Sequence, residues 1–427
     1  MADIKPFRGV FYNQEVVGDL SAVVAPPYDV ISPEDEEYYR HAHPNNVIRL
    51  ILPTEDSIGD KYYNAAEILR KWLATGVLVR DNQDCLYLCV QEFIFRGEWK
   101  RRFGFTCLVR LEEFGSGKVR PHENTLPKPL EDRLNLMRAT RSNFDSVFGL
   151  YAGRTIPEML VSFVAAPPDA STTDRDGAWC HVWRMSDSHV IQNVAEAIRD
   201  EPLIIADGHH RYSAALAYRD EMRAIHGAHD PEAPWEYVMM TLVSFDDPGL
   251  VVLPTHRLVR NIADFSPARI TAQIGEFFEL KETPAAQLEK EVASANGTRA
   301  TFGLYLGNGI SYVMRLKPTI APENMVEIPG SDALKRLDVS VLHGLILDKL
   351  LGIGAQQVAS GNNVGFTRDV ETAMHCVDNG EYQMLLVMNP TKVDQIMAVT
   401  SMGDRLPQKS TFFYPKLLTG LVMRVMD

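Results

Sequence analysis

The pattern of apolar and polar positions changes period several times along the chain. From Lys61 to Leu73 the apolar residues at 62, 65, 66, 69, 72 and 73 recur at helical spacing, and Gly76 ends the run. Leu86 to Phe95 and Phe103 to Leu111 are rich in β-formers and flank a short polar turn at Arg96-Gly97-Glu98, which predicts a β-hairpin. A Gly115-Ser116-Gly117 break follows, then helices near Leu130 to Arg141 and Ser188 to Arg199. Leu203 to Ala206 is a short apolar run closed off by Pro202, as a buried strand should be, and Ser213 to Ile225 is an amphipathic helix.

Between that strand and that helix stands Asp207-Gly208-His209-His210-Arg211, an acid, two imidazoles and a guanidinium at a strand-to-helix junction. Two further apolar runs, Trp235 to Phe245 and Leu250 to Leu258, are expected in the same sheet. Helices near Pro267 to Phe278 and Ala285 to Ala295 and strands at Thr301 to Leu306 and Ile310 to Leu316 come next. A long helix over Asp332 to Leu351 and a strand at Met384 to Met388 complete the pattern, which is α+β or mixed α/β throughout. Three regions are expected: an N-terminal α/β region with the hairpin over 1–115, a central core over 116–260 and a C-terminal α/β region over 261–427.

Composition narrows the function classes. The chain has 427 residues, 45% hydrophobic and 23% charged, which suits a folded protein of more than one domain. A net charge of -13 disfavours nucleic acid and acidic membranes as partners, and favours small molecules. No apolar run reaches the ~18 residues of a membrane span, and the first ten residues lack the apolar core of a secretory signal, so a cytoplasmic location is expected. The five cysteines are odd in number and scattered; Cys85 and Cys89 read as small buried hydrophobes on one strand face. Oligomeric state leaves no trace in the pattern.

A helix N-terminus carries unpaired N–H groups and the positive end of the helix dipole, so the junction suits an anion such as phosphate. Gly208 lets the backbone approach a ligand closely, and His209, His210 and Arg211 add donors. Asp207 can act as a base or hold Mg²⁺; alternatively it caps the helix while the histidines satisfy nearby carbonyls. A phosphate loop GxxxxGK[ST], a nucleophile elbow GxSxG and an HExxH helix are all missing from the sequence.

The DGHHR segment resembles the nucleotide-phosphate motif of the ParB/sulfiredoxin-like superfamily, in the form carried by ParB-like free-serine kinases. Those kinases place a His-Glu pair upstream, and His122-Glu123-Asn124-Thr125-Leu126 has that look, about 80 residues before Asp207. The chain also resembles domain-of-unknown-function family one thousand and fifteen. That resemblance lies in Ala25-Pro26-Pro27-Tyr28-Asp29-Val30, His43-Pro44-Asn45-Asn46, the His122-Glu123 segment, Asp207 to Tyr212, Leu253-Pro254-Thr255-His256-Arg257 and Pro407-Gln408-Lys409-Ser410-Thr411.

The kinase resemblance implies a ParB/sulfiredoxin-like nucleotide-binding core. It also implies a nucleotide-dependent phosphotransferase using ATP or ADP with Mg²⁺ on a small hydroxylated metabolite, free serine or O-phosphoserine, in either direction. Glu123, Asp207 and His209 are then the catalytic candidates. Gly208, His210, Arg211, Lys118, Arg120, Lys409, Ser410 and Thr411 are the phosphate or nucleotide candidates; His122, Tyr28 and Asp29 are the substrate candidates, and Asp207 the Mg²⁺ candidate. The alternative readings make Lys118 and Arg120 a solvated basic turn, 409–416 a loop packing Phe412, Phe413 and Tyr414 into a core, Asp29 a turn brace, and His256-Arg257 a buried ion pair. Two other function classes stay open: a non-catalytic nucleotide sensor and a metal-dependent phosphohydrolase using Asp207, His209 and His210.

Overall fold

The structure is a computed structural model that describes residues 3–57, 59–115, 118–125, 127–226, 230–295, 297 and 299–426. Ser116 and Gly117 of the glycine break and Leu126 of the His-Glu segment lie outside the described residues. Contacts divide the chain into two compact units. Unit 1 takes Met1–Pro121, Thr125–Val251 and Pro415–Asp427; unit 2 takes His122–Asn124 and Val252–Tyr414. The expected boundary between 115 and 116 falls within unit 1, whereas the one at 260 lies close to the passage into unit 2.

Unit 1 is organised on a nine-stranded mixed sheet. Its strands are β1 (Ile4–Lys5), β2 (Leu86–Phe95), β3 (Glu98–Arg110), β4 (Val119–Pro121), β5 (Val147–Tyr151), β6 (Ala170–Thr173), β7 (Trp179–Met185), β8 (Leu203–Asp207) and β9 (Tyr237–Ser244). Their spatial order is β4-β8-β5-β9-β3-β2-β7-β6, with β1 paired to β3. β8 runs parallel to β4 and antiparallel to β5, and β9 runs parallel to β5. The predicted hairpin is β2 and β3, paired from Tyr87↔Thr106 to Phe95↔Glu98.

Both faces of this sheet are covered, which is why its central strands read as nearly continuous apolar runs. Leu86, Leu88 and Val90 of β2 enter one core and Tyr87 the other. Cys85 is fully buried, but Cys89 is only partly so and shares a hydrogen bond with Thr106. Helices α1 (Lys61–Ala74), α2 (Pro127–Thr140), α3 (Ser188–Ile198) and α4 (His209–His226) match the predicted helical stretches, and α2 packs on α4. α4 begins at His209, four residues earlier than its apolar pattern, because Gly208 O already accepts the amide of Tyr212 at 2.9 Å.

Unit 2 holds a six-stranded sheet of β10 (His256–Val259), β11 (Phe278–Glu282), β12 (Thr301–Tyr305), β13 (Ser311–Leu316), β14 (Val364–Thr367) and β15 (Met384–Met388). The order is β11-β13-β12-β15-β10-β14, every pair antiparallel. The run from 250 to 258, expected beside Tyr237 to Ser244, is therefore not in that sheet. Pro254 splits it, so that Val251–Leu253 pairs with Phe412–Tyr414 and His256–Val259 joins the sheet of unit 2.

The long helix expected over 332–351 is also broken. It appears as Asp332–Lys335, Asp338–Val341 and a wide-turned segment Leu342–Leu350, because Leu337 is extended (φ -64, ψ 139) and starts a new helix. Among the described residues no helix is long and apolar enough to cross a membrane.

Candidate functional site

β8 explains where the DGHHR side chains go. Leu203, Ile204, Ile205 and Ala206 are buried between neighbours on both sides, and Asp207 is the first residue of the strand with partial exposure. Gly208 turns the chain with φ +87, a conformation that costs L residues energy but not glycine. A Cβ at Gly208 would stand 2.8 Å from Arg211 Nε and 2.9 Å from its Cζ, so the glycine also makes room for that guanidinium.

Arg211 turns back under the junction. Its Nη2 lies 3.2 Å from Asp207 Oδ2, its Nη1 lies 2.9 Å from Asp145 Oδ2, and Nη1 donates to the carbonyl of Ser146. Burial alone would pull the Arg211 pKa down, but Asp145, Asp207 and Asp29 outweigh it and hold it above the ordinary arginine value. Burial pushes the Asp145 carboxyl up, against the opposing pull of Arg211 and Arg133. Both Nη groups of Arg211, the residue expected to grip phosphate, are engaged by protein oxygens.

Tyr28 and Asp29 belong to the same cluster. They sit in a single 3-10 turn after Pro27, and the Arg133 guanidinium stacks 4.0 Å over the Tyr28 ring. Burial raises the Tyr28 hydroxyl pKa well above its usual value, and Asp29 adds to the rise. His209 is buried and His210 half-buried on the first turn of α4.

One residue of the cluster escapes the sequence pattern. Lys416 brings its Nζ to 3.5 Å from Asp207 Oδ2, with only 12% of its side chain exposed. Its place after Phe412-Phe413-Tyr414-Pro415 reads as core packing; the lysine itself was the available signal.

Lys118 and Arg120 are placed differently. Lys118 Nζ donates to Arg199 O at 3.0 Å and lies 3.3 Å from Asp200, while its carbonyl accepts from Leu203 at the start of β8. Asp207 is at the other end of that strand, about 13 Å away at ~3.3 Å per residue. Arg120 stands opposite Ile204 on β4 and is half-buried.

The remaining candidates assemble within unit 2. Glu123 bridges in parallel to Leu406, and its Oε1 accepts the Ser410 amide at 3.0 Å. His122 is buried, with Nε2 2.8 Å from Thr411 Oγ1 and 3.6 Å from Glu123 Oε1, and its ring meets Phe413 edge-on. Lys409 has φ +57 and an exposed side chain; its carbonyl accepts from Arg257 Nη2 at 3.1 Å. Of the three aromatic residues expected in a core, Phe413 is buried and Phe412 and Tyr414 only partly so.

His256 and Arg257 are both buried but do not pair. Adjacent strand residues face opposite ways, and burial pushes His256 down to about 4, leaving it neutral. Burial lowers Arg257 to about 9 while Glu123 pulls it up, and its Nη2 lies 3.2 Å from His343 Nε2.

Mg²⁺ is commonly held by one or two carboxylates together with ligand phosphates, and Asp207 is the carboxylate at the end of β8. Its Oδ2 faces two cations, and among the described residues no three His, Cys, Asp or Glu side chains are placed to hold a metal.

Residues 4–340 match the family model described as "Protein of unknown function (DUF1015)". No curated protein matches the chain. Among solved structures, the chain is similar to a free serine kinase in complex with AMP. The identity is 14%, with 69% of this chain and 83% of that chain covered and a TM-score of 0.33. A conserved hypothetical protein from Pyrococcus furiosus is similar at 13% identity, 70% and 89% coverage and a TM-score of 0.33. SbnI with a C-terminal truncation, from Staphylococcus aureus, is similar at 12% identity, 74% and 85% coverage and a TM-score of 0.35.

Proposed function

The chain belongs to the DUF1015 family, and from that premise we propose that it is a nucleotide-dependent phosphotransferase acting on a small hydroxylated metabolite. ATP or ADP is the nucleotide and free serine or O-phosphoserine the substrate, as the resemblance of the DGHHR segment to ParB-like free-serine kinases implies. One observation carries the reading. A strand ends in a carboxylate, a left-handed glycine follows, and an 18-residue helix opens directly after it, with a buried arginine and a lysine converging on the carboxylate.

Phosphoryl transfer asks a protein for positioning and charge neutralisation more than for covalent chemistry. The first amides of α4 and the imidazoles of His209 and His210 supply the phosphate contacts in this proposal. Arg211 holds Asp207 and Asp145 in place, and Asp207 in turn orients the groups around it. The resemblance gives Glu123 the hydroxyl proton of the acceptor; within unit 2 the Ser410 amide donates to its Oε1. Lys409, Ser410 and Thr411 then serve by shaping the backbone around His122 and Glu123.

Phosphorus NMR on the pure protein with ATP or ADP, with and without Mg²⁺, and a metabolite panel tests this. Transfer to or from serine is expected. Nucleotide binding without turnover would instead indicate a sensor, and free phosphate released from a monoester would indicate a hydrolase. Asp207→Asn and Glu123→Gln should each abolish turnover with the fold intact; near-normal rates in both would sink the mechanism.

A further inference from the structure

The approach of Lys416 to Asp207 is prepared by an unusual investment of buried polar groups. Gln91 on β2 and Arg102 on β3 are 4% and 1% exposed. Arg102 donates to the Gln91 side-chain carbonyl and to Pro415 O, and Gln91 Nε2 donates to Lys416 O at 2.9 Å. Burial lowers the Arg102 guanidinium to about 10, so it stays charged near neutral pH. Its guanidinium lies 5.0 Å over the ring of Phe148, whose backbone is paired with Asp207 itself. Residues of one unit thus form a closed circuit from Asp207 through Phe148, Arg102, Gln91 and Lys416 back to Asp207.

Burying a guanidinium and a carboxamide to fix two backbone carbonyls is costly, and a satisfied network of this kind rigidifies the segment that carries Lys416. What the circuit achieves is the placement of one ammonium. The charge balance shows why that matters. Arg211 is surrounded by Asp145 and Asp207 at contact distance, with Asp29 within electrostatic reach, and Arg133 also pulls on Asp145, so the carboxylates Asp145, Asp207 and Asp29 outnumber the guanidiniums Arg211 and Arg133 there. Such a cluster repels phosphate unless a further cation faces the ligand. Lys416 is the second cation on Asp207, and an ammonium on a flexible stem can hold a carboxylate and a phosphate oxygen together.

We infer that Lys416 is a phosphate-contacting residue of the Asp207 site, its Nζ bridging Asp207 Oδ2 and a phosphate oxygen of the ligand. The inference rests on the reading of the α4 N-terminus as a phosphate site and adds to it the cation that makes the site attractive to an anion. The phosphate belongs either to the nucleotide or to the phosphomonoester substrate, and the test separates them.

Affinities of the full chain for ADP, O-phosphoserine and inorganic phosphate are measured by calorimetry for the native protein, Lys416→Met and Lys416→Arg, with melting temperatures as a check on folding. Lys416→Met should weaken at least one of the three tenfold or more, with Lys416→Arg recovering part of the loss and both variants melting near the native temperature. A loss confined to ADP places Lys416 on the nucleotide; one confined to O-phosphoserine places it on the substrate. If the native protein binds and Lys416→Met binds all three equally well, the inference is overturned while the phosphate site stands. If the native protein binds none of them, the phosphate site itself is wrong and Lys416 falls with it.

Discussion

Arg211 joins two carboxylates that lie 62 positions apart in the sequence, reaching Asp145 at 2.9 Å with one terminal nitrogen and Asp207 at 3.2 Å with the other. Removing one member of a buried ion cluster leaves the others uncompensated, at a cost of about 3–5 kcal/mol. Arg211→Met should lower the unfolding free energy by that order in a denaturant titration. Adding Asp145→Asn should restore part of it. A loss under about 1 kcal/mol for the single variant would show that the cluster is not holding the junction.

Gly208→Ala tests the turn. The substitution forces an L residue to φ +87 and drives a methyl group to 2.8 Å from Arg211 Nε. Backbone strain alone accounts for about 1–2 kcal/mol, and displacement of the guanidinium adds to it. Lower stability together with weakened ADP binding is expected. Unchanged binding would separate the turn from the ligand.

Asp338 in unit 2 provides a test on the alkaline side. Burial raises its carboxyl to about 7, with Lys392 opposing the rise. A group whose pKa is raised by folding lends stability that is complete below its unfolded pKa and disappears as pH climbs through the folded value. Asp338→Asn should therefore be more stable than the native protein at pH 8, by on the order of 2 kcal/mol, and the difference should shrink toward pH 4. Calorimetric melts at the two pH values decide it.

His256 and His343 work in the opposite direction. Burial holds them at about 4 and about 3, with Arg257 lowering both further. Their contribution is complete above pH ~6.5 and is lost as the medium falls toward the folded values. Melting temperatures of unit 2 should drop between pH 7 and pH 4.5. His256→Asn, whose side-chain oxygen can replace Nδ1 as acceptor for the Met388 amide, should flatten part of that slope. An identical slope in the variant would clear His256 of responsibility.

What the sequence reveals divides along a physical line. The β2-β3 hairpin, the strand ending at Asp207 and the helix after it were legible because period and turn chemistry act over a few residues. The direction of Arg211 was not, because Asp145 decides it from 66 positions away. Lys416 was hidden for the same reason: its role depends on Gln91 and Arg102, on strands that no local pattern links to it. The 332–351 stretch misled because apolar residues occupy it nearly all round, so the break at Leu337 leaves no mark in the period. Near Glu123, sequence showed a His-Glu pair but not the Ser410 amide that fixes it.

The composition of unit 1 has a consequence in time. It takes residues from both sides of unit 2, and its last segment, Pro415–Asp427, carries Lys416. At synthesis rates of ~5–20 residues per second, on the order of ten to forty seconds separate the emergence of Asp207 from that of Lys416. During that interval the second cation on Asp207 is missing, and the nascent chain should hold phosphate ligands poorly until the ammonium arrives.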